Sequence, residues 1–212
     1  AKRQSRLGEV FVPYVLDAIS GAQGLDANDA MLSPTEMRLS RIFQDDPELL
    51  ESFRSRLQAW STSGFDTPSG VATFYHQPTE ADIKASVATM IFNVWLRQFS
   101  QLTWGDEGIE NAWTLPSAQY RIIGLKRLLA GRGPGNPSGL QSWYEPTGES
   151  ILFDRQDTEV IETSRELILQ ALMNTFDYLS APTNAAGLGG FGTENMDSWL
   201  WGMRHQARFE SL

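Results

Sequence analysis

Two histidines, His76 and His205, are the first candidates for acid–base or metal chemistry in this chain of 212 residues. A Ser-His-Asp site would need one of them, but no G-x-S-x-G nucleophile elbow precedes either, and the segment Gly135–Gly139 has the wrong spacing. The sequence also lacks an H-E-x-x-H motif and any cysteine, which leaves a poor set of ligands for zinc. We therefore interpret His205 as a structural residue that hydrogen-bonds a carbonyl or carboxylate beside Trp201, and His76 as a surface loop residue.

Two further segments match ligand-binding motifs only in part. Residues 187–192 satisfy the G-x-G-x-x-G pattern of dinucleotide-binding proteins. That pattern binds a pyrophosphate where a strand precedes the glycines and a helix follows, whereas here a predicted helix precedes them and an aromatic segment follows. The segment Asp26–Asp29 is too short for a calcium-binding loop. We interpret residues 183–194 as a flexible glycine-rich loop and assign a ligand to neither segment.

The acidic side chains form no pair that would act as general acid and general base. Several of them lie at the starts of predicted helices, where the helix dipole favours negative charge. These residues are Glu36, Asp46, Asp82 and Asp157. We therefore predict no catalytic, cofactor-binding or metal-binding residue in this chain.

The chain contains seven tryptophans, and their positions are more informative about function than those of the acidic residues. Those on apolar stripes or in the C-terminal segment are expected in the core: Trp60, Trp95 and Trp201. Those near predicted loops are candidates to face another polypeptide or an apolar acyl group: Trp104, Trp113 and Trp143.

Apolar residues at helical spacing predict the elements that must position these side chains. The first helix covers residues 7–19, and Pro13 predicts a kink or a start near Val12. Ser33, with a glutamate three residues later, predicts the start of a second helix, and Asp46 before a proline predicts a third.

The longest predicted helix begins at Thr79, which has an aspartate three residues later, and its apolar stripe runs towards Leu102. A helix of about 24 residues would be roughly 36 Å long, enough to cross a domain as its scaffold. Another helix follows Ser117, and a last long helix begins beyond Asp157 and ends before Pro182.

The predicted fold class is mainly α, a helical bundle-like segment with a short β piece near the C-terminus. Residues 1–130 form the helical part with the scaffold helix, and residues 131–149 form a flexible loop rich in glycine and proline. Residues 150–212 hold the last long helix, the glycine-rich loop and an alternating segment, Trp199–Phe209, that is predicted as a strand or a mixed turn and strand. We expect one domain overall.

Composition excludes several classes of partner. A net charge of −9 and a pI near 4.7 would repel phosphate backbones, so nucleic acid is not an expected partner. No apolar run approaches the roughly 18 residues that span a bilayer, and no membrane is expected. The absence of cysteine excludes disulfides and thiolate chemistry but does not identify a compartment.

The C-terminal segment carries the most specific pattern in the chain. Trp199, Trp201, Gly202, His205 and Phe209 form the spacing W-x-W-G-x-x-H-x-x-x-F. This resembles the W-G-x-x-H-x-x-x-F segment of the penicillin acylase (penicillin amidase) family. Weaker matches to that family's β chain cover the following segments: Leu7–Leu16, Leu57–Trp60, Ala88–Trp95 and Leu167–Leu172. The chain departs from the family at Ser61, where the family's L-x-x-W-D-G turn has aspartate, and its glycine comes late, at Gly64.

The resemblance implies an N-terminal nucleophile hydrolase with an αββα core, in which a serine at the N-terminus of the β chain attacks an amide carbonyl and its own α-amino group is the base. Residue 1 here is Ala, so the resemblance implies a helical β-chain fragment without the nucleophile, inactive alone. Implied partners are the α chain, the β-chain core and a small acyl amide such as a penicillin or an acyl-homoserine lactone. Calcium would bind outside this region, and the location would be periplasmic or secreted. The alternative is a free-standing all-α interaction module without activity.

Overall fold

The computed structural model describes residues 4–105, 107, 117–132, 140–183 and 189–205. Seven α-helices make up most of this part of the chain: α1 (Arg6–Gln23), α2 (Pro34–Asp45), α3 (Pro47–Thr62), α4 (Glu80–Trp104), α5 (Ala118–Ala130), α6 (Ser164–Ser180) and α7 (Trp201–Arg204). Two short antiparallel strands lie between α5 and α6: β1 (Trp143–Tyr144) and β2 (Glu149–Ser150). The predicted fold class, mainly α with a short β piece, is confirmed.

Short-range capping explains where α2, α3 and α4 begin. Glu36 N donates to Ser33 Oγ at 3.3 Å, and the Glu36 carboxylate accepts from Ser33 N at 2.8 Å. Thr79 and Asp82 make the same reciprocal pair at the start of α4, and Asp46 caps α3. These bonds satisfy backbone N–H groups that have no partner inside the helix, and the three predicted helix starts are confirmed.

α4 is the scaffold helix, and it packs against α3, α5 and α6. Trp95 in its middle is completely buried and donates its indole N–H to the Ile168 carbonyl of α6 at 3.2 Å. Its ring stacks on Phe99 of the same helix and meets Phe11 of α1 edge-on. Trp60 of α3 is also buried, so two of the three predicted core tryptophans are confirmed. None of the described helices has the length and apolar character that crossing a membrane requires.

One helix start agrees with the sequence predictions and one differs. α1 begins at Arg6, which confirms the helix predicted from residue 7 and not the alternative start near Val12, and it continues through Pro13 on its exposed side. α6 begins at Ser164 rather than near Asp157, because the reciprocal capping pair at this helix is Thr163 with the glutamate three residues later. Asp157 instead accepts a hydrogen bond from Arg155 at 2.6 Å in the preceding turn.

The β piece lies at β1 and β2, with Trp143 opposite Ser150 and Tyr144 opposite Glu149. The strand that alternation predicts from Trp199 onward is wrong over the described residues, which form a 3₁₀ turn at Met196–Ser198 followed by α7. The alternating pattern does not require a strand here, because the tight turn places Trp199 in the core and leaves Trp201 half-buried. Residues 133–139 lie outside the described ranges, and the division into parts stays a prediction.

Candidate functional site

The described part of the W-x-W-G-x-x-H motif is a packing element. Trp199 is completely buried, and its indole N–H donates to the Thr193 carbonyl at 2.9 Å. Its ring centroid lies 5.8 Å from that of Phe176 on α6. Trp201, which was predicted in the core, is only half-buried, at the first position of the short helix α7. Phe209 lies outside the described residues.

Gly202 brings the motif into contact with the loop that precedes α4. Its backbone N–H donates to the Ser69 carbonyl at 2.8 Å. A Cβ at this position would lie 2.7 Å from the Ser69 oxygen and 3.0 Å from Cγ2 of Val71. Contacts this short force a shift, so the backbone approach requires glycine here. The W-G pair of the motif is therefore explained by close packing of two chain segments.

The hydroxyl of Ser86 completes this contact from inside α4. Ser86 Oγ donates to the Ser69 carbonyl at 2.6 Å and accepts from Trp201 N at 2.9 Å. Gly70 has a φ of +68°, and a Cβ there would lie 2.5 Å from Ser86 Oγ. We call the five residues Ser69, Gly70, Ser86, Trp201 and Gly202 the loop anchor. It joins the motif, the loop and the scaffold helix through partly buried hydrogen bonds.

Neither histidine is placed for nucleophilic catalysis by its described contacts. The exposed His205 ring stacks on Trp201, with centroids 4.7 Å apart and planes 14° apart, and its backbone N–H donates to the Trp201 carbonyl. The hydrogen bond expected from its side chain is absent among the described residues, where stacking takes its place. His76 lies exposed in the loop before α4, as predicted.

The described part of the glycine-rich loop closes the C-terminal end of α6. Phe191 N donates to the Leu179 carbonyl at 2.6 Å, and a Cβ at Gly190 would collide with backbone oxygens of the helix end. Arg204 contacts the Gly190 carbonyl and lies 4.9 Å over the Phe191 ring. The G-x-G-x-x-G pattern binds a pyrophosphate at a helix N-terminus, whereas these glycines contact the C-terminal end of α6, so the described residues do not form that site. Gly187 lies outside the described residues.

A buried carboxylate that the sequence analysis did not single out lies at the start of α6. Glu149 of β2 is 8% exposed, and its Oε2 accepts from Ser164 N at 2.7 Å. Burial raises the pKa of the Glu149 carboxyl, while the hydrogen bonds from Ser164 and the charges of Arg132 and Arg165 oppose that rise. The contact joins residues 15 positions apart, so no local capping pattern indicates it. Its described role is to cap a helix.

Other acidic residues are held in ion pairs. Asp17 of α1 pairs with Arg132 at 2.8 Å and with Arg165 at 3.2 Å. Partial burial raises the pKa of Asp17, but the two arginines outweigh it and hold that pKa below its ordinary value. Glu166 is buried and pairs with Arg38 at 2.5 Å. These carboxylates hold helices together and do not face one another as an acid–base pair.

Charged residues line the described grooves between the helices. One of about 500 Å³ lies between α3 and α4. On its rim Arg56 pairs with Asp197 at 2.7 Å, and Lys84 pairs with Glu80. Within the described ranges, no group of three His, Asp or Glu side chains could hold a metal ion.

The remaining described tryptophans, Trp104 and Trp143, are half-buried. Trp104 is half-buried and packs against α5, where a Cβ at Gly124 would lie 2.9 Å from its ring. Trp143 in β1 is half-buried, and Trp113 lies outside the described residues. Trp104 therefore has an internal partner in α5.

Fold and site together define a mainly helical chain whose most specific motif joins a loop to a central helix. The chain belongs to the penicillin amidase family, whose sequence model matches residues 4–212. Membership of this family implies an enzyme that hydrolyses a linear C–N amide bond. Comparison with curated proteins and with solved structures returns no match.

Proposed function

We propose that the chain is the helical part of a penicillin amidase-type enzyme that hydrolyses the acyl amide bond of penicillins, acyl-homoserine lactones or related N-acyl compounds. The observation that carries this proposal is the family match over residues 4–212. The loop anchor supports it, because the W-G pair that resembles the family's motif has a physical role in this fold.

The role proposed for this chain is structural support. The nucleophilic serine and its base would come from the part of the enzyme outside this chain, together with the family's calcium site. In the proposed reaction the serine oxygen attacks the amide carbonyl carbon and the α-amino group takes the serine proton. That proton then passes to the leaving amine, and water hydrolyses the acyl-enzyme. Export to the periplasm or the medium belongs to the same proposal.

The experiment is to express the complete gene that encodes this chain and to identify the mature polypeptides by mass and N-terminal sequencing. We expect two chains, one of which begins with serine and contains these residues. The product should release amine from phenylacetyl amides, penicillins or acyl-homoserine lactones, and replacing that N-terminal serine by alanine is the matched control. The 212-residue chain alone should be inactive.

Two outcomes would contradict the proposal. Turnover of these amides by the 212-residue chain alone would show that it contains its own catalytic site. A mature product of 23.7 kDa without amidase activity would favour the free-standing interaction module instead. Activity towards one member of the substrate panel would identify the acyl and amine preference.

A further inference from the structure

Two aromatic side chains project from the loop that the anchor holds. Phe74 and Tyr75 are each 93% exposed, and their rings contact one another edge to face with centroids 5.0 Å apart. The turn that presents them is closed by hydrogen bonds: Thr73 N donates to the His76 carbonyl at 2.8 Å, and His76 N donates to Thr73 Oγ1 at 3.1 Å. We call Phe74 and Tyr75 the aromatic tip.

The loop that carries the tip is uncharged. Residues 67–79 contain no Asp, Glu, Lys or Arg, although the chain contains 26 acidic and 17 basic residues. Exposed aromatic residues in a surface depleted of charge are the composition of a protein–protein interface core. By contrast, Met31 is 88% exposed but lies as a single apolar side chain in a segment with Asp26 and Asp29, which is ordinary for a protein surface.

The base of the loop is fixed before any partner binds. Ser69 and Gly70 are held to Ser86 and Gly202 in the loop anchor, and the other end of the loop is the Thr79 cap of α4. Fixing both ends reduces the conformational entropy that the tip would lose on binding. The motif that resembles the family's therefore also determines where the aromatic tip projects.

The three grooves described between the helices of this chain differ from an apolar pocket in their charge. An apolar aromatic pair fits a pocket without charge, since packing the rings against charged side chains takes those side chains out of water, which costs free energy. The grooves described between α3 and α4, between α2 and α6, and between α4 and α5 all carry charged side chains: Arg56, Lys84 and Asp197; Arg38, Arg41 and Glu162; Arg97 and Arg121. A second copy of the chain is thus a poor partner, and a loop without Lys or Arg on a chain of charge −9 is a poor ligand for an anionic membrane.

We propose that the aromatic tip docks into an uncharged, apolar pocket on the part of the penicillin amidase that lies outside this chain. This inference rests on the proposed function, which supplies that second part. Both rings lose their water on docking, while the loop anchor keeps the turn in place.

The test compares solvent access at two sites in the complete gene product, with any cysteines outside this chain replaced. Tyr75→Cys reports on the tip and keeps Phe74, and Met31→Cys is the matched control because both side chains are almost fully exposed in this structure. Maleimide should label the Tyr75→Cys protein about tenfold more slowly than the Met31→Cys protein, or more slowly still. A docking equilibrium constant of about ten in favour of the bound tip gives this difference. Phe74→Cys gives a second, independent reading.

Equal labelling rates for the tip and the control would overturn the inference. Protection that disappears on dilution together with a halved molecular mass would assign the tip to a second copy, and protection that needs phosphatidylcholine vesicles would assign it to a membrane; either result overturns it as well. Amidase activity is measured on the same samples. An active enzyme with an accessible tip refutes the docking alone, whereas a protected tip in an inactive product refutes the proposed function.

Discussion

The loop before α4 has two regions that differ completely in their surroundings. Ser69 and Gly70 at its base are tied to Ser86 and Gly202 by contacts too close for any added side chain. Only a few residues later, the two side chains of the aromatic tip are 93% exposed, and their rings contact one another. The base is explained by the fold of this chain alone, and the tip is not. The comparison predicts large stability effects at the base and its supports, and almost none at the tip.

The largest effect is expected at Trp199, the completely buried residue of the motif two positions before Trp201. Trp199→Ala removes a completely buried ring and leaves the Thr193 carbonyl without its donor. We expect the free energy of unfolding to fall by about 3–5 kcal/mol. Urea denaturation followed by circular dichroism measures this change. Trp143→Ala, at a half-buried position, is the comparison, and an equal loss there would contradict the assignment.

The helix starts could be predicted from the sequence, whereas the contacts of Trp199 could not. The capping pairs Ser33–Glu36 and Thr79–Asp82 each lie within three residues, so their patterns are legible without knowledge of the fold. The same locality misleads at α6, where Asp157 offers a possible cap but Thr163 provides the actual one.

Contacts between distant segments could not be predicted in this way. The bond between Ser86 and Trp201 joins residues 115 positions apart, and Glu149 reaches α6 from a separate β hairpin. Alternation from Trp199 onward predicts a strand because hydrophobic spacing alone does not distinguish a strand from a tight turn. The family resemblance could be recognised from the sequence because its motif lies within a short segment. The contacts that the motif makes are seen only in the structure.

The next effect is expected at Gly202, where the anchor is tightest. Gly202→Ala places a methyl group 2.7 Å from the Ser69 oxygen, which forces the motif and the loop apart. Overpacking of this kind costs about 1–3 kcal/mol. Gly21→Ala in α1 is the matched control, because its Cβ would have ordinary contacts at 3.7 Å and alanine favours a helix. In thermal denaturation, the Tm of Gly202→Ala should therefore be lower than that of the wild type. The Tm of Gly21→Ala should be equal to that of the wild type or higher.

Ser86→Ala sharpens the comparison further, since it removes the hydroxyl that joins both segments. The Trp201 N–H and the Ser69 carbonyl lose that partner, although Ser69 keeps the donor from Gly202. We expect the free energy of unfolding in urea denaturation to fall by about 1–2 kcal/mol, the cost of leaving a partly buried backbone donor without its partner. Ser20→Ala on the exposed side of α1 should change stability by no more than about 0.5 kcal/mol. A neutral result for Ser86→Ala would show that the hydroxyl does not hold the anchor.

The pH dependence of stability should separate the anchor from the β hairpin. Because burial raises the pKa of Glu149, its contribution to stability is fully present below the pKa of the unfolded chain and is lost as the pH rises through the folded pKa. Glu149→Gln should remove this decline, so unfolding free energies measured upward from about pH 4 should fall less in the variant than in the wild type. Glu159→Gln, at an exposed position, is the control and should keep the wild-type slope.

The smallest effect on the stability of the chain is expected at the aromatic tip. A small effect there would show that the tip does not stabilise its own chain. Phe74→Ala combined with Tyr75→Ala removes two rings that bury almost no surface within the chain, so the free energy of unfolding should change by no more than about 0.5 kcal/mol. An aromatic pair retained for the chain's own stability would cost several times more when truncated. If urea denaturation shows a loss comparable to that of Gly202→Ala, the tip packs on its own chain and the contrast with the base fails. The double variant could instead leave the stability of the 212-residue chain unchanged and lower that of the complete enzyme. This result would show that Phe74 and Tyr75 contact the other part of the enzyme.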